Sequence, residues 1–311
     1  MSILVVGSVA LDSVETPFGK ADDILGGSAT YFSTSASFFT DVNLVAVVGD
    51  DFPEEHIEFL KTKSIDTKGL VREKGNTFRW KGSYSYDMNE AHTLETHLNV
   101  FEKFRPLIPE EYTSSEYVFL ANIDPELQLD ILDKVRNPRV VALDTMNYWI
   151  SNKPEAVKRV MERVDIVIIN EGEARQLAQE TNLIKAAIRI LNMGVNTLVI
   201  KRGEYGVIMF THDSMFAAPA FPLTDVKDPT GAGDTFAGGF LGYLANTGND
   251  NEACIRQAII FGSIMASFNV EDFSLNRMRN LTYKEIETRF KSFKTLTHFD
   301  SAIINLTAQA G

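Results

Sequence analysis

The most constraining feature of this chain is a series of short, β-branched runs closed by small or polar residues. Residues 3–6 stop at Gly7, 44–48 at Gly49-Asp50, 117–120 at Ala121-Asn122, 140–143 at Asp144, 166–169 at Asn170, and 197–200 at Lys201-Arg202-Gly203. Runs this short and this uniformly apolar suit strands buried on both faces. Between them, residues 125–135, 154–164 and 183–193 repeat apolar side chains at helical spacing, as Ile184, Ala187, Ile188 and Leu191 do in the last. Strand–helix alternation predicts an α/β fold, a mostly parallel central sheet flanked by helices. Ligands of such sheets bind at the carboxyl ends of the strands, so the polar residues closing the runs are the first to consider for a site.

Two polar stretches with aromatic interruptions, about residues 12–25 and 71–100, break the alternation. In the second, Thr77-Phe78-Arg79-Trp80-Lys81 alternates apolar and basic residues before Gly82, the pattern of an exposed strand. Together they predict a small β lid on a single domain spanning residues 1–311. An open strand edge in that lid invites pairing with a second copy, hence a homodimer. Residues beyond Thr282 read as an amphipathic helix followed by a tail.

Charge and composition exclude several classes. Thirty Lys and Arg against 42 Asp and Glu leave a net charge of −12, so no nucleic-acid partner is expected. The one cysteine, Cys254, can neither pair internally nor build a Cys-rich zinc site, and reads as a buried small apolar residue on a helix. No basic segment precedes the apolar start, and the longest apolar stretch, 258–268, is far short of the ~20 residues a membrane helix needs. The expectation is a cytoplasmic protein with no membrane partner. No Walker A, G-x-G-x-x-G or H-E-x-x-H pattern occurs; His92 and His97 lack a third ligand, and Asp22-Asp23 and Glu54-Glu55 read as solvated surface.

The informative segment is Asp228-Pro229-Thr230-Gly231-Ala232-Gly233-Asp234-Thr235, followed by Phe236, Phe240 and Leu244 on one helical face. Pro229 stops the preceding structure, and the glycines allow a tight turn whose N–H groups approach a ligand. Asp234-Thr235 then opens the helix. Such a turn at a helix N-terminus binds anions. An aspartate beside it can accept the proton of a hydroxyl attacking a phosphoryl group. The plainer reading is a glycine turn with Asp234 as an N-cap.

The whole run from Asp228 to Phe240 resembles the signature of the PfkB, or ribokinase-like, carbohydrate kinase family, which includes ribokinase, adenosine kinase and the minor phosphofructokinase. The resemblance extends over nearly the whole chain. It implies a ribokinase-like fold and an ATP- and Mg2+-dependent kinase acting on a primary hydroxyl of a small sugar or nucleoside. By resemblance, Asp234 is the general base, and the backbone N–H groups of Gly231, Ala232 and Gly233 form the anion hole. Asp12, shortly after Gly7-Ser8, and Gly26-Gly27, ahead of a small-residue helix at 28–37, match the substrate contacts. Tyr31 stands where many members carry Asn. Asn170 and Glu173 match an Asn-x-x-Glu motif that orders Mg2+ and phosphates through water. Lys201, Gly203 and Gly206 match the loop lining the nucleotide site, although many members begin it with Thr. Asp228 and Thr230 fall where some members coordinate a monovalent cation such as K+; a turn role fits them equally.

Three features lean toward a nucleoside acceptor, as in the adenosine-kinase-like branch. These are Tyr31, the lid aromatics Phe78, Trp80, Tyr84 and Tyr86, on which a base could stack, and residues 266–271, which look like the corresponding stretch of small prokaryotic nucleoside kinases. The same aromatics could instead pack against the body or a second subunit. The alternative from another class is a non-catalytic sensor that binds a nucleotide or sugar; the intact Gly231, Gly233 and Asp234 argue against it.

Overall fold

The structure, a computed structural model, describes residues 1–298 and residue 300. Its strands are β1 (Ser2–Val6), β2 (Ala10–Thr16), β3 (Gly19–Gly26), β4 (Asp41–Gly49), β5 (Ile65–Glu73), β6 (Phe78–Tyr84), β7 (Ala91–His97), β8 (Tyr117–Leu120), β9 (Val140–Leu143), β10 (Ile166–Asn170), β11 (Thr197–Lys201), β12 (Val207–Phe210) and β13 (Met215–Ala218). The main sheet runs β13-β12-β11-β10-β9-β8-β1-β4-β5. It is parallel from β11 to β5, with β12 and β13 as an antiparallel edge. Every uniformly apolar run is thus a strand of this sheet, because both of its faces are covered. In β1, Ile3 and Val5 enter one core and Leu4 and Val6 the other.

Helices Ser28–Ala36, Ala232–Thr247, Glu252–Asn269 and Tyr283–Thr297 supply the first core. Helices Pro125–Lys134, Pro154–Met161, Glu171–Ala178 and Leu183–Leu191 supply the second. From β1 the chain goes through the lid to β4 and β5 on one side, then returns to β8 on the other. The carboxyl end of β1 is therefore a topological switch point, where a crevice opens between diverging connections.

The lid is a second sheet of order β3-β2-β6-β7, and it corrects three expectations. Residues 71–73 belong to β5 of the main sheet, so the second lid segment starts as a strand only at Phe78. The strand expected to be exposed, β6, is paired on both sides, by β2 and β7, and is mostly half-buried. The lid's edges are β3 and β7, and of the two only β7 is exposed along its whole length. Cys254 is half-buried rather than buried, its Sγ 3.6 Å from Thr247 Oγ1. The C-terminal helix begins with a reciprocal Thr282–Glu285 capping box, and most of the expected tail lies outside the described residues. Among the described residues, no helix is long and apolar enough to cross a membrane.

Candidate active site

A cleft of about 260 Å³ opens at the carboxyl end of β1, between the sheet and the lid. Asp12, on β2, projects into it. Its Oδ2 accepts the Gly27 N–H at 3.3 Å. The two glycines exist for this arrangement. A Cβ on Gly26 would overlap the Asp12 carboxylate, and Gly27 adopts φ +95° with its Cβ position 2.5 Å from the Ser8 carbonyl oxygen. Burial pushes the Asp12 carboxyl up to about 7; the Gly27 N–H opposes this, while Asp228 and Asp234 add to it.

The opposite wall is the start of helix Ala232–Thr247, with Gly231 as N-cap at φ +72°. The helix thus begins two residues earlier than the sequence suggests. Of the three expected anion-hole amides, Ala232 is already engaged: its N–H donates to the Pro229 carbonyl at 3.1 Å. The reason is the turn that Pro229 and Gly231 impose. Among the described residues, the N–H groups of Gly231, Gly233 and Asp234 meet no acceptor from another residue. This leaves a cradle of two open amides, Gly231 and Gly233, while the Asp234 N–H faces its own carboxylate. Asp234 lines the cleft beside them. Loss of hydration pushes its carboxyl up to about 7, with Asp144 adding to the rise and Lys201 countering it.

Tyr31 is 1% exposed. Its ring covers Gly231, so that a Cβ there would run into it. Burial holds the phenol well above its ordinary value, hence neutral, and its hydroxyl has no hydrogen-bond partner among the described residues. From the lid, Phe78, Trp80 and Tyr84 face the cleft. Phe78 stacks on Phe101 at 5.3 Å, the Trp80 indole N–H donates to Thr93, and the Tyr84 hydroxyl accepts from Thr230 at 3.2 Å. Tyr86 does not join them: it lies in the turn after β6 and is 87% exposed.

Behind the cradle, strand ends β9, β10 and β11 bring together Asp144, Glu173 and Lys201. The Lys201 ammonium lies 3.4 Å from Asp144 and 3.0 Å from where a Cβ of Gly233 would stand. Burial alone would lower the Lys201 pKa, but Asp144, Glu173 and Asp234 outweigh it and keep the amine charged. Asn170 and Glu173 form a reciprocal capping box, each side chain accepting the other's N–H at 2.8 Å. Burial first and Asp144 second push the Glu173 carboxyl up to about 7. Gly203 and Gly206 shape the loop after β11, both at positive φ. The tip of the β6–β7 hairpin reaches this loop, where Asn89 donates to Glu204 at 3.1 Å. Asp228 is fully buried; its two oxygens accept the N–H groups of Thr230 and Ser274, bracing the turn.

Sequence reasoning placed Asn122 and Asp144 among the polar residues closing the apolar runs but gave neither a role. Each is a first polar residue after an apolar run, the same signal that singled out Asn170, but neither sits in a recognisable motif. Asn122 lines the cleft and accepts from the Trp149 indole; Asp144 anchors Lys201.

A model of the pfkB family of carbohydrate kinases matches residues 24–277. The chain is 34% identical over 269 residues to a cytidine kinase of Thermococcus kodakarensis, covering 82% of this chain and 92% of that protein. The nucleoside kinase of Methanocaldococcus jannaschii, an archaeal member of the ribokinase family, superposes with a TM-score of 0.74 at 22% identity, covering 94% of this chain and 98% of that one. A proposed ribokinase II of E. coli, solved with ATP and Mg2+, superposes with a TM-score of 0.76 at 18% identity, covering 94% and 99%. The chain belongs to the pfkB family of carbohydrate kinases and is a phosphotransferase acting on a hydroxyl group.

Proposed function

We propose that this kinase transfers the γ-phosphoryl group of ATP, with Mg2+, to the primary hydroxyl of a nucleoside, and that Asp234 is the general base. One observation carries the reading: Asp234, Gly231 with its open amide, and the aromatic wall of Phe78, Trp80 and Tyr84 line one cleft, and the open amide of Gly233 directly precedes Asp234 in the chain. The likeness to a cytidine kinase supports a nucleoside over a free sugar.

Asp12 accepts hydrogen bonds from the acceptor's hydroxyls, and a carboxylate suits a vicinal diol. The base rests on the aromatic wall, a contact worth about 1–3 kcal/mol. Asp234 takes the hydroxyl proton as that oxygen bonds to the γ-phosphorus and the bond from phosphorus to the β-phosphate oxygen breaks. The amides of Gly231 and Gly233 hold the phosphoryl oxygens, and the helix N-terminus adds positive potential. Glu173, held by its cap, suits water-mediated contact with magnesium. Among the described residues, no group of three or more His, Cys, Asp and Glu side chains could hold a metal; an ion at Glu173 would take phosphate and water as its other ligands. Bound there, it supplies neutralising charge to the phosphates. The E. coli complex with ATP and Mg2+ supports this pairing. Potassium at Asp228 and Thr230 has less support, because both Asp228 oxygens are committed to backbone N–H groups. The proposed homodimer contact is the open edge of β7.

Among the described residues, the cleft is lined by the carboxylates Asp12 and Asp234 and by no Lys, Arg or His. It therefore disfavours an acceptor that already bears a phosphate. A panel of nucleosides, free sugars and sugar phosphates with ATP and Mg2+, read as phosphorylated product by mass spectrometry, tests the reading. Nucleosides should exceed free sugars in kcat/KM by at least about tenfold, the worth of one stacked ring, and sugar phosphates should give no product. Preference for a sugar phosphate, or nucleotide binding without acceptor-dependent turnover, would refute it.

The Asn89–Glu204 contact ties the lid tip to the loop after β11, so the lid closes over both substrates together. Asn89→Ala should raise the acceptor KM about two- to tenfold, the scale of one lost hydrogen bond, and increase acceptor-independent ATP hydrolysis. Initial-rate kinetics with and without acceptor would show it.

A further inference from the structure

We infer that Lys201 is a catalytic residue, the built-in cation of the phosphoryl-transfer site, and that Asp144 is the positioning residue that aims it. The inference rests on the phosphotransfer reading above and adds a role that the motif resemblance does not contain, since the matching loop begins with Thr in many members. It stands on where the side chain lies. Lys201 ends β11, runs under the cradle, and brings its ammonium against the bare Cα of Gly233. That ammonium is 3.4 Å from Asp144 Oδ2, and the lysine side chain is only 17% exposed. Asp144 is fixed in turn: its Oδ1 accepts the Thr145 N–H, and its own carbonyl accepts from the buried Gln128 amide.

The charge balance requires such a cation. Asp144, Glu173 and Asp234 surround Lys201, and a triphosphate placed on the cradle adds more negative charge. Coulomb interactions are strong where water is scarce. An ammonium beside Gly233 can shift its attraction from the carboxylates to the transferring group as charge builds there, which is how fixed charges lower a barrier. Glycine at 233 leaves the ammonium its place: a methyl group there would stand 3.0 Å from it and push it aside by a few tenths of an ångström. The two glycines of the cradle thus each make room for one side chain at a position where the chain departs from the family pattern, Gly231 for Tyr31 and Gly233 for Lys201.

The test is Lys201→Ala in the full chain, with the best nucleoside of the panel. Turnover should fall about 10²–10³-fold, while nucleoside affinity by calorimetry stays near wild type. Added ethylammonium should restore part of the turnover, which a purely structural lysine would not permit. The acid limb of the pH–kcat profile should rise in Lys201→Ala, because Asp234 loses a cation, and fall in Asp144→Asn, because it loses a like charge. The other titratable groups that face Asp234, namely Asp12, Glu173, Tyr31 and Tyr84, are unchanged in both. If the single variants fail to fold, the double variant Lys201→Met with Asp144→Asn removes both partners together and should show the same loss of turnover. Near-normal turnover in Lys201→Ala, or in the double variant, would overturn the inference, as would a loss without amine rescue or opposite pH shifts. A wild-type chain that phosphorylates no acceptor would instead bring down the kinase reading itself.

Discussion

Asp234→Asn is expected to lower turnover about 10²–10⁴-fold, the usual contribution of a general base, with little change in ATP or nucleoside affinity. Asparagine keeps the shape and the hydrogen-bonding reach of aspartate but cannot accept the proton. The Gly231 and Gly233 amides remain to hold phosphate, so binding survives while chemistry stops. The pH dependence follows from the same residue. Lost hydration and Asp144 raise the Asp234 carboxyl to about 7. Catalysis needs the ionised form, so turnover should climb between pH 6 and pH 8, half-maximal near 7. The Asn variant should lose that limb.

Stability should move in the opposite direction. The Asp234 carboxyl titrates near 3.8 in an unfolded chain and at about 7 in the folded one. The folded state therefore keeps a proton that the unfolded state releases between those values. The cost of the raised carboxyl builds as the pH rises from about 3.8, is complete above about pH 7, shrinks as the pH falls between those values and is gone only below the unfolded one. Asp234→Asn should thus melt at a higher temperature than wild type at pH 8, with the difference narrowing toward pH 5. Calorimetric melts at the two pH values would check it. Wild-type turnover in the variant, or a lower melting temperature at pH 8, would contradict the assignment.

The strands of the main sheet were legible because both faces are buried, which makes 3–6, 117–120 and 166–169 uniformly apolar. The lid was legible only as a break in that pattern. Its boundary failed at residues 71–73 because β5 runs on as an edge strand, where polar side chains are tolerated. Tyr84 and Tyr86 share strand parity in the sequence, but the strand ends at Tyr84, and the turn carries Tyr86 into solvent. Asp12, Gly26, Gly27 and Asp234 were singled out by the family resemblance; Asp12, Gly27 and Asp234 line one cleft, and Gly26 packs against the Asp12 carboxylate. Asp144 was not, because its meaning depends on Lys201, 57 residues away and two strands over in the sheet. The Ala232 amide was misassigned for a local reason: counting glycines does not reveal that Pro229 supplies an acceptor three residues back.

Gly231→Ala should abolish most activity for a different physical reason from Asp234→Asn. Residue 231 sits at φ +72°, where a Cβ costs about 1–2 kcal/mol. The new methyl would also run into the Tyr31 ring. That ring cannot retreat, because Tyr31 is 1% exposed within the core that joins helices Ser28–Ala36 and Ala232–Thr247. Overpacking of this kind adds about 1–3 kcal/mol. The backbone must shift, and with it the amides of Gly231 and Gly233. Losing an aligned donor of this type costs about 10²–10³ in turnover, so a loss of that size or more is expected together with a clear fall in melting temperature. The mechanism makes a further demand. Tyr31→Ala relieves the overlap but not the backbone strain, so the stability losses of Gly231→Ala and Tyr31→Ala should sum to more than the loss in the double variant. Turnover in the double variant should stay low, because the positive φ still opposes alanine and the cradle remains distorted. Strictly additive stability losses would show that Tyr31 does not set the requirement for glycine, and near-normal turnover in Gly231→Ala would show that the cradle is not where phosphoryl transfer is held.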